Sequence, residues 1–126
     1  GSQLRPNIHI DDMIDAYIKI IKTDKNLISG KIFNVGSENK SVLEIANNVK
    51  KIIGDEVKII FEETNDKRSY HISSKRILDE INFYPKKNIS DSIFDLKDAF
   101  EKKLLINSLE NEMYFNILRM KNIELK

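Results

Sequence analysis

Arg5-Pro6-Asn7-Ile8-His9-Ile10-Asp11-Asp12 changes its period part-way along, and that change decides the architecture. Polar and apolar residues alternate from Asn7 to Ile10 as in a short strand, and Asp11 or Asp12 then offers a side-chain oxygen to cap a helix. Met13, Ile14, Tyr17, Ile18 and Ile21 follow at helical spacing. They are expected to form one broad apolar face ending near Thr23 to Lys25. A strand that feeds an amphipathic helix points to helices layered on a sheet.

The same alternation recurs downstream. After a polar loop closing at Ser29-Gly30, Lys31-Ile32-Phe33-Asn34-Val35 has the β-branched, apolar character of a buried strand, stopped by Gly36. Ser41 and Glu44 form a capping box for a helix bearing Leu43, Ile45, Ala46, Val49, Ile52 and Ile53, which Gly54 ends. Val57 to Phe61 reads as a strand, Glu62 to Lys67 as a loop, and Tyr70 to Ile72 as a further extended segment. Ser73 or Ser74 can cap a helix with Ile77, Leu78 and Ile81, which Pro85 keeps from continuing. Ser90 is expected to cap a longer helix with Ile93, Phe94, Leu96 or Lys97, and Phe100. Asn107, with Glu110 three residues on, is expected to cap a terminal helix bearing Leu109, Met113, Ile117 and Met120. No internal repeat or low-complexity linker interrupts the pattern. The expected fold is α/β, or α+β for the chain taken alone, with a small mixed sheet covered by helices.

A chain of 126 residues, 40% of them hydrophobic, fits one domain. At that size it can bury roughly two thirds of its unfolded surface. The 21 basic and 20 acidic residues leave a net charge of +1, so no global field favours nucleic acid or an anionic membrane, and an anion site must be local. The absence of cysteine excludes disulfides, thiolate zinc sites and a cysteine nucleophile. No apolar run approaches the length of a membrane span, and cytoplasm is the expected compartment. The leading Gly1-Ser2 has the look of an expression-tag remnant, which leaves residues 3–126 as the domain proper.

Five segments in order resemble the C-terminal part of an extended short-chain dehydrogenase/reductase, the NAD-dependent epimerase/dehydratase family that acts on nucleotide sugars. They are the Arg5 to Asp12 segment, Ile32 to Ser37, Ser41 to Ile45, Asp66 to Ile72 with its Arg68-Ser69-Tyr70, and Glu80 to Lys86. The family's catalytic part has no counterpart here. Gly1, Gly30, Gly36 and Gly54 are too far apart for the closely spaced glycines of a dinucleotide loop. The family's catalytic Tyr has a Lys four residues later, whereas Tyr17, Tyr70, Tyr84 and Tyr114 are followed there by Ile21, Ser74, Asn88 and Leu118. The resemblance therefore implies a fragment without the N-terminal Rossmann core, not catalytic alone. No catalytic, cofactor-binding or metal-binding residue is expected in it.

By the same resemblance, the strand from Phe33 to Gly36 would be a late strand of the parent's nucleotide-binding sheet. Residues from about Val57 onward would belong mainly to the substrate lobe. NAD would be the parent's cofactor, bound outside this chain. A nucleotide sugar would be the ligand, with UDP, dTDP, CDP and GDP forms all open, of the kind used in polysaccharide biosynthesis.

Arg5 and Arg68 map onto the two arginines that converge on the substrate diphosphate in similar enzymes, a role that suits arginine's planar fork. Tyr70 and His71 follow Arg68 and are candidates for lining the pocket, though strand alternation puts them on opposite faces. His9 reads as a packed, hydrogen-bonded histidine, Asp11 and Asp12 as structural, and Lys75 and Arg76 as a solvated helix surface. The competing expectation is an assembly module that homodimerises through the terminal Leu109, Met113, Ile117 and Met120 stripe.

Overall fold

His9, and neither aspartate after it, starts the first helix. The computed structural model describes residues 1–63, 65 and 68–123. Thr64, Asp66 and Lys67, which belong to the expected 62–67 loop and the Asp66 to Ile72 segment, lie outside the described residues, as do 124–126. Two units divide the chain, residues 1–94 and 95–126.

In the first unit, β1 (Leu4–Asn7) leads into α1 (Ile10–Lys22), and α2 (Lys25–Ile28) is a single turn. Next come β2 (Glu38–Ser41), α3 (Val42–Ile53), α4 (Lys75–Ile81) and the start of α5 (Ile89–Glu101). The expected mixed sheet is instead one antiparallel pair, with Leu4 opposite Ser41 and Asn7 opposite Glu38. The strand expected at Asn7 to Ile10 therefore lies three residues earlier. Residues 31–35 and 57–61, expected as strands, have no ladder partner among the described residues. Strand character needs a neighbour for its backbone groups as well as β-branched side chains.

His9 Nδ1 accepts from the Asp11 amide at 3.1 Å and so caps α1. The expected apolar face is also corrected. The core takes Ala16, with Ile20 packed against it, while Ile14, Tyr17, Ile18 and Ile21 lie on the exposed side. Ala16 joins Ile77, Ile81 and Phe83 in the buried cluster, against which Ile28, Phe33 and Val35 also pack. A small residue at 16 lets the helix approach Ile77, which is fully buried.

α3 begins as expected. Ser41 Oγ accepts from Glu44 N, and Glu44 Oε2 accepts from Ser41 N at 2.7 Å. Those bonds, the Ser41 backbone one first, hold the Glu44 carboxyl below its ordinary pKa. Gly54 closes the helix at φ 143°, where a side chain would be strained. α4 ends on Asn82 in the left-handed conformation. α5 is capped by Asn88 in place of Ser90: Asn88 Oδ1 accepts from Ser90 N and Asp91 N, and Asp91 returns a bond to Asn88 N.

In the second unit the expected terminal helix is broken. Asn107 has φ 50°, a 3-10 turn covers Glu112–Tyr114, and extended Phe115 separates it from α6 (Asn116–Asn122). Arg119 pairs with Glu112 and lowers its carboxyl pKa, second to the Asn122 amide. Leu109, Met113, Ile117 and Met120 are exposed.

Candidate functional site

Beside β1, with no strand partner of its own, runs the segment 68–74, and polar side chains fasten it there. Tyr70 N donates to the Leu4 carbonyl at 3.0 Å, and Ser69 Oγ accepts from Leu4 N at 2.9 Å. Asn39 on β2 closes a ring with Ile72: its Nδ2 donates to the Ile72 carbonyl and its Oδ1 accepts from the Ile72 amide, both at 3.0 Å. Ser74 does the same to Gly36, accepting from its amide at 2.8 Å and donating to its carbonyl at 2.9 Å. Ser74 thus starts α4 without a side-chain cap, because its hydroxyl is engaged elsewhere.

This fastening brings Arg5, Arg68 and Tyr70 together. The Arg5 guanidinium lies 5.4 Å from the Tyr70 ring centroid and that of Arg68 lies 5.8 Å from it. Both distances fall within cation–π range, so the ring's negative face offsets part of the repulsion between two like charges. Arg5 Nη1 also donates to the Arg68 carbonyl at 2.6 Å and to the Leu4 carbonyl at 2.9 Å. Arg5 is half-buried and oriented, whereas Arg68 and Tyr70 are exposed. Both arginines make further interactions with their surroundings. Two forked donors oriented by one aromatic ring form a local cationic patch suited to phosphate oxygens.

His71 is exposed and makes no hydrogen bond or ring contact with this cluster among the described residues. His9 is 5% exposed and serves as the α1 cap. Asp11 pairs with Lys87 Nζ at 2.8 Å. Asp12, 2% exposed, accepts from the Lys86 and Lys87 amides, each at 2.9 Å, and so pins the loop after Pro85 onto α1. Arg76 lies on the exposed surface expected of it and is also engaged there. It pairs with Glu80 at 2.7 Å, donates to the Ile32 carbonyl at 3.1 Å and lies over Phe33. Lys31 and Arg76, in that order, hold the Glu80 carboxyl below its ordinary pKa.

Asn39, Ser69 and Ser74, which seat the cluster, were not anticipated. Each bonds a residue 33 to 65 positions away, so no local pattern marks them. The glycines make no dinucleotide cradle: Gly54 closes α3, Gly36 sits against Ile72, and Gly30 ends the turn after α2.

No family model matches the chain, and no curated protein matches it significantly. Solved structures do. UDP-glucuronic acid 4-epimerase from Bacillus cereus, in complex with UDP-glucuronic acid and NAD, superposes with a TM-score of 0.71 at 24% identity, over 82% of this chain and 33% of that one. RMD from Pseudomonas aeruginosa, complexed with NADPH, gives 0.69 at 19% identity, over 81% and 33%. L-threonine dehydrogenase from Clostridium difficile gives 0.69 at 19%, over 80% and 34%. This chain shares their fold and spans about a third of the length of each.

Proposed function

We propose that the chain is the C-terminal substrate-binding region of an NAD-dependent nucleotide-sugar epimerase or dehydratase, and that Arg5 and Arg68 hold the substrate's diphosphate. The observation that carries this reading is the convergence of both arginines on Tyr70, from segments 63 residues apart. The shared fold supports it, as do the nucleotide sugar in one of the similar structures and the dinucleotides in two. A diphosphate would bring its charge to the cationic patch and accept from the guanidinium forks, with Tyr70 beside it and His71 at the rim. NAD, held by the parent's Rossmann domain, supplies oxidation of the sugar. This chain supplies binding and orientation.

The Rossmann domain is the partner this reading requires. Ile10, Tyr17, Ile21 and Ile32 are all more than 60% exposed, giving that domain an apolar face. The extended backbone of residues 32–35 gives it an edge to pair with. Among the described residues no helix is long and apolar enough to cross a membrane. A cytoplasmic setting fits the substrate class.

Titration of the chain with UDP, dTDP, CDP and GDP, read on backbone amides and arginine side-chain signals by NMR, tests the reading. Saturable shifts around Arg68 for one nucleotide are expected. Replacing Arg68 by Ala should then weaken binding by about tenfold to a hundredfold, as loss of a charge-assisted hydrogen bond implies. Unchanged affinity in that variant removes Arg68 from the site.

A second reading is an assembly module, favoured by the exposure of Leu109 at 84% and Ile117 at 73% in the second unit. It predicts a concentration-dependent homodimer that breaks when Met113 or Ile117 is made charged. Sedimentation as a monomer at every accessible concentration counts against it.

A further inference from the structure

We infer that Asn39 is the positioning residue of the two-arginine cluster: its carboxamide fixes the register of the segment carrying Tyr70 against β1, and with it the meeting of Arg5 and Arg68 on one ring. Reading the cluster as a diphosphate site, as above, matters only to the ligand arm of the test.

A carboxamide presents a donor and an acceptor side by side, as a peptide group does, so Asn39 can stand in for a neighbouring strand. It meets both backbone groups of Ile72 at 3.0 Å, and it does so from β2, where it lies opposite Pro6. Ile72 is held from another side as well. A Cβ added to Gly36 would come within 2.8 Å of Ile72 Cδ1, so this side chain already rests on the Gly36 backbone. Two residues before Ile72 stands Tyr70, on the same side of an extended chain.

Register is what this arrangement protects. The remaining ties near Tyr70 are its own amide bond to Leu4, the exposed Ser69 hydroxyl contact and the Arg5 Nη1 bond to the Arg68 carbonyl, while Ser74 holds Gly36 on the far side of Ile72. A slip of one residue exchanges the faces of an extended segment, so His71 would replace Tyr70 beside Arg5 and the phenol ring would no longer meet both guanidiniums. Among the described residues Asn39 makes no side-chain hydrogen bond to Arg5, Arg68 or Tyr70, and it acts through Ile72.

The test compares the wild-type chain with Asn39→Ala and Asn39→Asp by NMR. Asn39→Asp keeps the shape and the acceptor but loses the donor to the Ile72 carbonyl. The readout is the Arg5 Nε–H resonance, which the Tyr70 ring current displaces and which Tyr70→Leu calibrates. In both variants that resonance should move toward its Tyr70→Leu position while the Ile77 core signals stay dispersed. The UDP concentration for half-saturation should rise about tenfold. An Arg5 resonance and UDP affinity unchanged from wild type, with faster exchange of the Ile72 amide, overturn the inference, since the clasp would then be broken without displacing the cluster. The Arg5 resonance is read without ligand, so failure of the wild type to bind UDP, dTDP, CDP and GDP alike removes the proposed function and leaves this inference decided on its own readout. Should Asn39→Ala not fold, Asn39→Asp carries the same two outcomes.

Discussion

Residues 68–74 and 57–61 both lie outside the helices and strands and are both largely exposed, yet they are held in opposite ways. The first is fastened by Ser69, Asn39 and Ser74 to backbone atoms of β1, of the residue itself, or of Gly36. The second is richer in apolar side chains, but among the described residues its one backbone tie is Val57 N to Gly54 O at 3.2 Å, and Ile60 and Phe61 are 79% and 72% exposed. Hydrophobicity therefore does not decide which segment is docked. A polar side chain that satisfies backbone groups across the fold does, because it removes the penalty those groups would otherwise carry when covered. Asp12 shows the same device at the other end of the unit, reaching the Lys86 and Lys87 amides.

The strongest way to break this contrast is at Asp12. Asp12→Ala strands two amides in a buried setting, and destabilisation of roughly 2–4 kcal/mol in urea unfolding is expected, since hydrogen bonds to a charged group are the stronger kind. A loss under 1 kcal/mol would show that the pin is replaced by water. Ser74→Ala should follow, at about 1–2 kcal/mol, because two neutral bonds to Gly36 go with one hydroxyl. Phe61→Ser, the counterpart in the unfastened segment, should stay within about 0.5 kcal/mol. A larger loss would mean that segment is packed after all. Native-state hydrogen exchange sharpens the same division without mutation: the Tyr70 and Ile72 amides should be protected, and those of residues 58–61 should exchange near the rate of an open chain.

The smallest effect concerns pH. The Glu80 carboxyl, tied to Lys31 and Arg76, titrates below its ordinary value of 4.5. Its folded pKa is depressed, so its contribution is present above 4.5 and fades as pH falls through the lower folded value. Glu80→Gln should flatten the acid limb of the stability curve in that window and leave neutral stability nearly unchanged. An unaltered acid limb would detach the Lys31 tie from stability.

Helices with local start signals were legible in the sequence. The Ser41 and Glu44 box and the end at Gly54 form as expected, because caps act over three or four residues, and the helix around Ile77 forms without the expected Ser74 side-chain cap. The burial of α1 was not legible. Ile14, Tyr17 and Ile21 form the more apolar stripe, but Ala16 faces the core because its small size admits Ile77. β1 was expected three residues late and β2 was missed, because Leu-Arg-Pro-Asn and Glu-Asn-Lys-Ser show no alternation and their partners stand 31 to 37 positions apart, outside any local window. At the candidate site, Arg5, Arg68 and Tyr70 could be named from the resemblance, and they do meet. The residues that seat them could not, since each recognises backbone rather than side chain.

The clasps also bear on the order in which the molecule assembles. Asn39 to Ile72, Ser74 to Gly36 and Asp12 to Lys86 close loops of 33, 38 and 74 residues, and each must be closed before its bonds reward the loss of chain freedom. The capped helices need no such closure. In pulse-labelled refolding the α3 amides should be protected first and the Ile72 amide among the last, so a nascent chain would present its helices well before Arg5 and Arg68 share a ring.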